Sequence, residues 1–128
     1  MSFIIYDITN YYPTISEKLL IKALGFTQQY YHLNDDDIET IMQARKLFLF
    51  CEGKCFAKKA SNGNFDVTQG GYDTCQICEL CGIYILAEIS KYIPIESHGL
   101  YRDDGLIALP ANGRNQEKIR QKLKKLRN

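Results

Sequence analysis

The sequence predicts an α+β domain in which helices back one face of an antiparallel sheet, in the order β-α-α-hairpin-α-β-β-α. Three observations predict this fold class: an apolar, β-branched run opens the chain, amphipathic helical patterns follow, and two strand-like segments flank a pair of acids. A length of 128 residues suits one domain with a core and is too short for two. We therefore expect a single domain over 1–128.

The first elements follow from local signals near the N-terminus. A buried strand is predicted from Ser2 to about Thr9, because this run is rich in β-branched and aromatic residues. Asn10 and Pro13 are turn residues that end it. A short amphipathic helix follows, with Ser16 as its candidate N-cap.

A second helix is predicted after residue 33. Asn34 or Asp35 can cap it, and the acids that follow suit the positive end of a helix dipole. One face of this helix is expected to continue through Ile38, Ile41, Met42 and Arg45. Beyond it, Glu52 and Gly53 separate two apolar stretches, which indicates a hairpin.

The longest helical pattern begins near Asp73 or Thr74, and Pro94 stops it. Two strand-like segments, 99–102 and 105–109, then flank the acidic pair. The chain closes with a basic helix whose narrow apolar stripe consists of Ile119, Leu123 and Leu126.

Composition and charge limit the possible classes of protein. With 45% hydrophobic and 24% charged residues the chain is typical of globular proteins. Residues 111–128 contain seven basic residues and one acid, a net charge of +6, which leaves −5 for residues 1–110 of a chain whose total is +1. Such a basic segment either faces a polyanion or is a solvated helix face.

The sequence also indicates the cellular compartment of the protein. No apolar stretch approaches the length of a membrane span, and the N-terminus lacks the features of a signal peptide. Five cysteines are an odd number in such a chain. We therefore expect a reduced, intracellular protein with no membrane partner.

Three acids are candidates for a metal site. Asp103 and Asp104 lie at the expected bend between two strands, where they are either ordinary turn residues or hard oxygen ligands for Mg²⁺ or Mn²⁺. Asp7 lies near the end of an apolar strand, where a lone acid is costly unless it is exposed, paired or bound to metal. If that strand lies beside the bend, the three carboxylates could hold two ions about 3.5–4 Å apart.

These residues carry a resemblance to a known family. "YDITNYYPTIS" and "YRDDGL" resemble motifs A and C of the reverse transcriptases, and "VTQGGYDTCQICEL" between them resembles motif B. The motifs occur in the family's order on a strand, a loop leading into a helix, and a hairpin. The resemblance covers roughly 2–127 and implies a polymerase palm-like fold.

The resemblance implies RNA-directed DNA polymerase chemistry. A primer 3′-hydroxyl would attack a deoxynucleoside triphosphate, and pyrophosphate would leave, with two Mg²⁺ (or Mn²⁺) ions as cofactors. By the same resemblance, Asp7 and Asp103 are the principal metal ligands, Asp104 lies beside them, and the backbone carbonyl of Ile8 completes one metal site.

The remaining site residues also follow from the resemblance. An aromatic ring at Tyr12 would pack under the sugar of the nucleotide and favour deoxynucleotides, although Tyr12 could also belong to a simply packed turn. Gln69 and Gly70 would contact the nucleotide and the template, and the absence of a side chain at Gly70 allows close approach. Tyr101 would lie near the primer end, and Arg102 occupies a position that varies freely in the family.

The chain also departs from the family pattern. Thr68 stands where motif B usually has proline, and Thr74-Cys75 replaces a Ser-Pro pair. Fingers and thumb segments are absent, so we expect a fragment truncated at both ends, with little or no activity alone. Its expected partners are a primed RNA or DNA template, a deoxynucleoside triphosphate, and the missing segments or a partner chain that supplies them.

Two alternative functions remain open. One is a non-catalytic palm-like remnant that binds nucleic acid or a partner protein. The other is a cysteine-rich metal-binding module, which requires at least four sulfur atoms to converge. The cysteines at 75, 78 and 81 follow one another at three-residue steps, which on a helix places them roughly along one face. Cysteine behaves as a small apolar residue, so core packing is the simpler expectation for these three.

Overall fold

The computed structural model describes residues 1–46, 48–57, 65–110 and 113–126. It confirms the predicted α+β class, with antiparallel pairing throughout the strands that it describes. The chain divides into two compact units, one formed by Met1–Thr9 with Gly82–Asn128 and the other by Asn10–Cys81. A single domain over 1–128 stays a prediction, and each unit is described by itself.

The observed elements follow the predicted order, with a short extra helix near the N-terminus. In chain order they are β1 (Ser2–Asp7), α1 (Tyr11–Thr14), α2 (Glu17–Thr27), α3 (Asp35–Gln43), β2 (Phe48–Cys51), β3 (Lys54–Ala57), α4 (Thr74–Ser90), β4 (His98–Tyr101), β5 (Asp104–Leu109) and α5 (Gly113–Leu126). A single 3₁₀ turn at Ile95–Ser97 precedes β4. No helix in the described ranges is long and apolar enough to cross a membrane.

The first unit is built on a three-stranded antiparallel sheet with the order β1-β5-β4. One face of this sheet, called the covered face, presents Ile4, Ile107 and Leu109 to a buried cluster that also contains Ile89 and Ile93. Partly buried residues of α4 and α5 complete the packing; they are Ile85, Ile119 and Leu123, together with Tyr6 from β1. Helices therefore lie on the covered face, as the sequence predicts.

The first strand differs from its prediction in length and in burial. It ends at Asp7 instead of continuing to Thr9, and it is buried on one face only. Phe3 and Ile5 are 60% and 80% exposed. Because side chains alternate across a strand, these residues point away from the covered face and, with Leu106 of β5, define an apolar open face.

In the second unit, polar caps begin the helices where the sequence indicates. The side chain of Ser16 accepts a hydrogen bond from the backbone amide of Leu19 at 3.1 Å, and α2 buries Leu20, Ala23 and Leu24. Asn34 caps α3 in a reciprocal pair with Asp37, in which each side chain accepts from the other residue's backbone amide. These two caps satisfy amides that have no partner inside their helices.

The expectation that Arg45 continues the face of α3 is wrong. The helix ends at Gln43, and Arg45 lies beyond it, almost fully buried and paired with Asp73. A buried guanidinium needs an anionic partner, and the end of the helix allows the chain to turn this side chain toward one.

The predicted hairpin at Glu52-Gly53 is confirmed. Both residues have positive φ, 49° and 74°, as a two-residue turn matched to the twist of its strands requires. The turn joins β2 and β3, whose eight residues are all exposed.

We expect Ile107→Ala to lower the free energy of unfolding by about 2–4 kcal/mol, because Ile107 is fully buried in the sheet core. Ile5→Ala is the matched control, since Ile5 has the same side chain in the same sheet but is 80% exposed. Urea denaturation followed by circular dichroism measures both. Equal losses for the two variants would contradict the assignment of covered and open faces.

Candidate functional site

The pairing of β1 with β5 brings two of the predicted acids opposite each other. Asp7 is the cross-strand partner of Asp104, at the end of the sheet where β4 turns into β5. The backbone amide of Ile8 donates to the carbonyl oxygen of Asp103 at 2.8 Å, so the pairing continues one residue beyond the strands. The first strand thus lies beside the acidic turn, as required for the three aspartates to act together.

These acids lie on the open face of the sheet. Asp7 and Asp104 alternate with the covered residues of their strands, and both are exposed. Tyr101 of β4 is the other cross-strand partner of Asp104 and is 72% exposed. Asp7, Asp104 and Tyr101 therefore form one row across the three strands, with Asp103 in the adjoining turn.

The turn that carries Asp103 has an unusual backbone. Arg102 has a φ of 55°, which costs a residue other than glycine about 1–2 kcal/mol. The guanidinium of Arg102 lies 5.5 Å from the centre of the Tyr101 ring, within cation–π range. A strained residue beside two acids is a combination that functional sites often contain.

On the covered face, Tyr6 and Gly105 support the acidic end of the sheet. They are cross-strand partners, and a Cβ atom at Gly105 would lie only 1.9 Å from Cζ of Tyr6. The tyrosine ring therefore occupies the space of the missing side chain. Burial raises the pKa of the Tyr6 hydroxyl, which has no hydrogen-bond partner among the described residues. Sequence reasoning did not identify either residue.

The side chains of the three aspartates do not converge on one point. No group of three or more His, Cys, Asp or Glu side chains able to hold a metal ion is present within the described part of the chain. The backbone register brings the acids to one end of the sheet, and their exposed side chains are free to change rotamer. Carboxylate and carbonyl oxygens are nonetheless the donor set that Mg²⁺ prefers.

Tyr12 belongs to the second unit, in the short helix α1. It is half-buried, whereas its neighbour Tyr11 is 3% exposed and donates its hydroxyl hydrogen to the carbonyl of Cys78 at 2.7 Å. The two tyrosine rings lie 6.2 Å apart. Tyr11 is thus the core residue of this turn, and Tyr12 keeps part of its ring accessible.

The second unit also contains the predicted Gln69-Gly70 turn, which precedes α4. Both residues are exposed, and Gly70 has a φ of 86°, which disfavours other residues there. The adjacent Gly71 is equally constrained, because a Cβ atom there would lie 2.5 Å from the hydroxyl of Thr74. That hydroxyl donates to the carbonyl of Thr68 at 2.6 Å and closes the turn.

The partly buried ion pair of Arg45 with Asp73 supports the same turn. Asp73 lies at its C-terminal end, and the backbone amide of Asp66, at its N-terminal end, donates to the carbonyl of Arg45 at 2.9 Å. One residue therefore holds both ends of the segment that contains Gln69 and Gly70. Sequence reasoning missed this role. The sign of it in the sequence is that Arg45, a cation, follows apolar residues in the helical pattern.

The cysteines divide into two groups. Cys78 and Cys81 are buried in α4, whereas Cys51, Cys55 and Cys75 are exposed. The expectation that the three helical cysteines share one face is wrong for Cys75, because six residues of α-helix turn it about 120° away from Cys81. Burial, together with the neighbouring Cys78, raises the pKa of the Cys81 thiol to about 12.

Comparisons with known proteins give no match. No family model matches the chain, and neither a curated protein nor a solved structure does. The resemblance to reverse transcriptases thus depends on the three sequence motifs. The pairing of Asp7 with Asp104 across the sheet is a separate observation.

We expect the thiols to react with a disulfide reagent such as DTNB in two classes. The exposed Cys51, Cys55 and Cys75 should react rapidly in the native protein at pH 8. Cys81 should react only after denaturation, because its thiolate is scarce at any pH well below about 12. Rapid reaction of a Cys75→Ser variant with more than two equivalents would contradict the burial of Cys78 and Cys81.

Proposed function

We propose that this chain provides the metal-binding edge of a palm-like nucleotidyltransferase of the reverse transcriptase type. The observation that carries the proposal is the cross-strand pairing of Asp7 with Asp104, with Asp103 in the adjoining turn. This pairing brings the acids of two distant motifs to one end of a sheet. The sequence resemblance supplies the expected reaction, which is RNA-directed synthesis of DNA.

In this proposal Asp7 and Asp103 are the principal ligands of two Mg²⁺ or Mn²⁺ ions, with Asp104 beside them and the carbonyl of Ile8 completing one site. When bound, the ions would activate the primer hydroxyl and stabilise the leaving pyrophosphate. Like charges directly opposite each other destabilise an antiparallel pair. A cation would remove this repulsion between Asp7 and Asp104, so metal binding and stability should be coupled.

The other site residues would hold the substrates. Tyr101 shares its row with Asp104 and is exposed, which suits contact with the primer end. Tyr12, Gln69 and Gly70 would contact the incoming nucleotide and the template. Their accessibility is compatible with these roles, while the assignment itself follows from the motifs.

A non-catalytic palm-like remnant is the second candidate. The observation that favours it is that the described acids do not form a group able to hold a metal ion. Such a protein would keep the fold and bind nucleic acid or a partner protein without binding cations at the acidic turn. Cation binding therefore separates the two candidates.

We expect Mn²⁺ to raise the melting temperature of the parent chain and Asp7→Asn, which removes a principal ligand, to abolish most of this rise. Without a divalent ion the same variant should be as stable as the parent or more stable, because the substitution removes the repulsion with Asp104. Thermal denaturation with Mn²⁺ or with EDTA measures both effects, and Mn²⁺ electron paramagnetic resonance measures affinity directly.

Asp36→Asn is the matched control, since Asp36 is an exposed acid in the first turn of α3 and its side chain takes no part in the helix cap. It should leave the response to Mn²⁺ unchanged. An equal response of the Asp7→Asn variant and the parent would refute the metal site. Absence of Mn²⁺ binding at the acidic turn of the parent chain would favour the non-catalytic candidate.

A further inference from the structure

The helix α5 is fixed to the sheet through its apolar stripe. Ile119 and Leu123 are partly buried and pack against the cluster formed by Ile4, Ile107 and their neighbours on the covered face. This contact sets the rotation of the helix about its axis. The residues between those of the stripe must therefore face solvent.

The solvent-facing side of α5 is strongly basic. Lys118, Arg120 and Lys124 are all exposed, and none of them forms an ion pair with a residue that the structure describes. Glu117 is the one acid in residues 111–128, which together carry a net charge of +6. An unpaired cationic surface of this kind attracts polyanions.

This surface and the acidic turn lie on opposite sides of the same sheet. The helix packs on the covered face, whereas Asp7 and Asp104 belong to the open face. The cations of α5 therefore do not offset the charge of the aspartates. They form a surface separate from the proposed metal site.

We propose that the exposed face of α5 is a second nucleic-acid contact, which binds the phosphate backbone without a divalent ion. A membrane surface is a poorer fit, because a helix that lies in a membrane interface inserts its apolar face, and Ile119 and Leu123 are already packed in the core. Contacts of lysine and arginine with phosphate carry no base specificity, so duplex DNA and an RNA–DNA hybrid should both bind. This inference does not depend on the proposed polymerase chemistry.

The test compares two double variants of the full chain. Arg120→Gln/Lys124→Gln removes two exposed cations four residues apart on α5. Lys18→Gln/Lys22→Gln removes two exposed cations with the same spacing on α2 and is the matched control. Fluorescence anisotropy with a short labelled RNA–DNA hybrid in EDTA measures affinity over a range of salt concentrations.

We expect the α5 variant to bind the hybrid at least about tenfold more weakly than the parent at low salt. The slope of log K against log salt should become shallower by about 2, since each lost phosphate contact accounts for roughly 0.9. The α2 variant should stay close to the parent. Circular dichroism should show that both variants keep the helical content of the parent.

Three results would overturn the inference: no binding by the parent in EDTA, equal weakening by both double variants, or tighter binding of the parent to anionic lipid vesicles than to the hybrid. The use of EDTA separates this inference from the proposed function, because binding of the hybrid is then measured without the divalent ions that the aspartates would hold.

Discussion

The antiparallel pairing of β1 with β5 is the constraint on which the first unit depends. It places Ile4 opposite Ile107 on the covered face and Asp7 opposite Asp104 on the open face. Because side chains alternate along a strand, a shift of β1 by one residue would exchange its two faces, which would move Ile4 into solvent and Asp7 to the side of the core. The same register therefore determines both the hydrophobic core and the position of the carboxylates.

The end of this sheet carries local costs that its packing does not require. Two carboxylates face each other across the β1–β5 pair, and Arg102 adopts a left-handed backbone beside them. An asparagine at either acid or a glycine in the turn would fit the same fold with less repulsion and less strain. Departures from local rules of this kind are concentrated at functional sites, which is why they support the proposed cation site.

Elements that depend on short-range signals could be predicted from the sequence. The caps at Ser16 and Asn34 and the turn at Glu52-Gly53 involve hydrogen bonds or backbone angles within a few residues, so their chemistry is visible in the sequence itself. The pairing of Asp7 with the acidic turn enters the sequence analysis only as a condition for a metal site, which the resemblance to motifs A and C implies and the structure meets. It could not have been derived from either acid alone.

The errors have the opposite cause, because they depend on contacts distant in sequence. The first strand is apolar on both faces, and its sequence does not show that Ile5 would be largely exposed. Arg45 finds its partner 28 residues away, at Asp73. Helix geometry alone separates Cys75 from Cys81 around α4, but which of the two is buried depends on the side of α4 that packs against the core. Periodicity identifies a helix more readily than it identifies its buried face.

The two sides of the sheet carry charges of opposite sign, and a polyanion would therefore bind to them under different conditions. The open face carries exposed carboxylates, which repel phosphate groups until cations neutralise them. The exposed face of α5, on the other side, attracts phosphate without any cation. Nucleic acid could therefore bind to α5 before the carboxylates of the open face have bound the cations that let them approach phosphate. Because the two surfaces lie on opposite sides of one sheet, a single short duplex cannot lie flat on both.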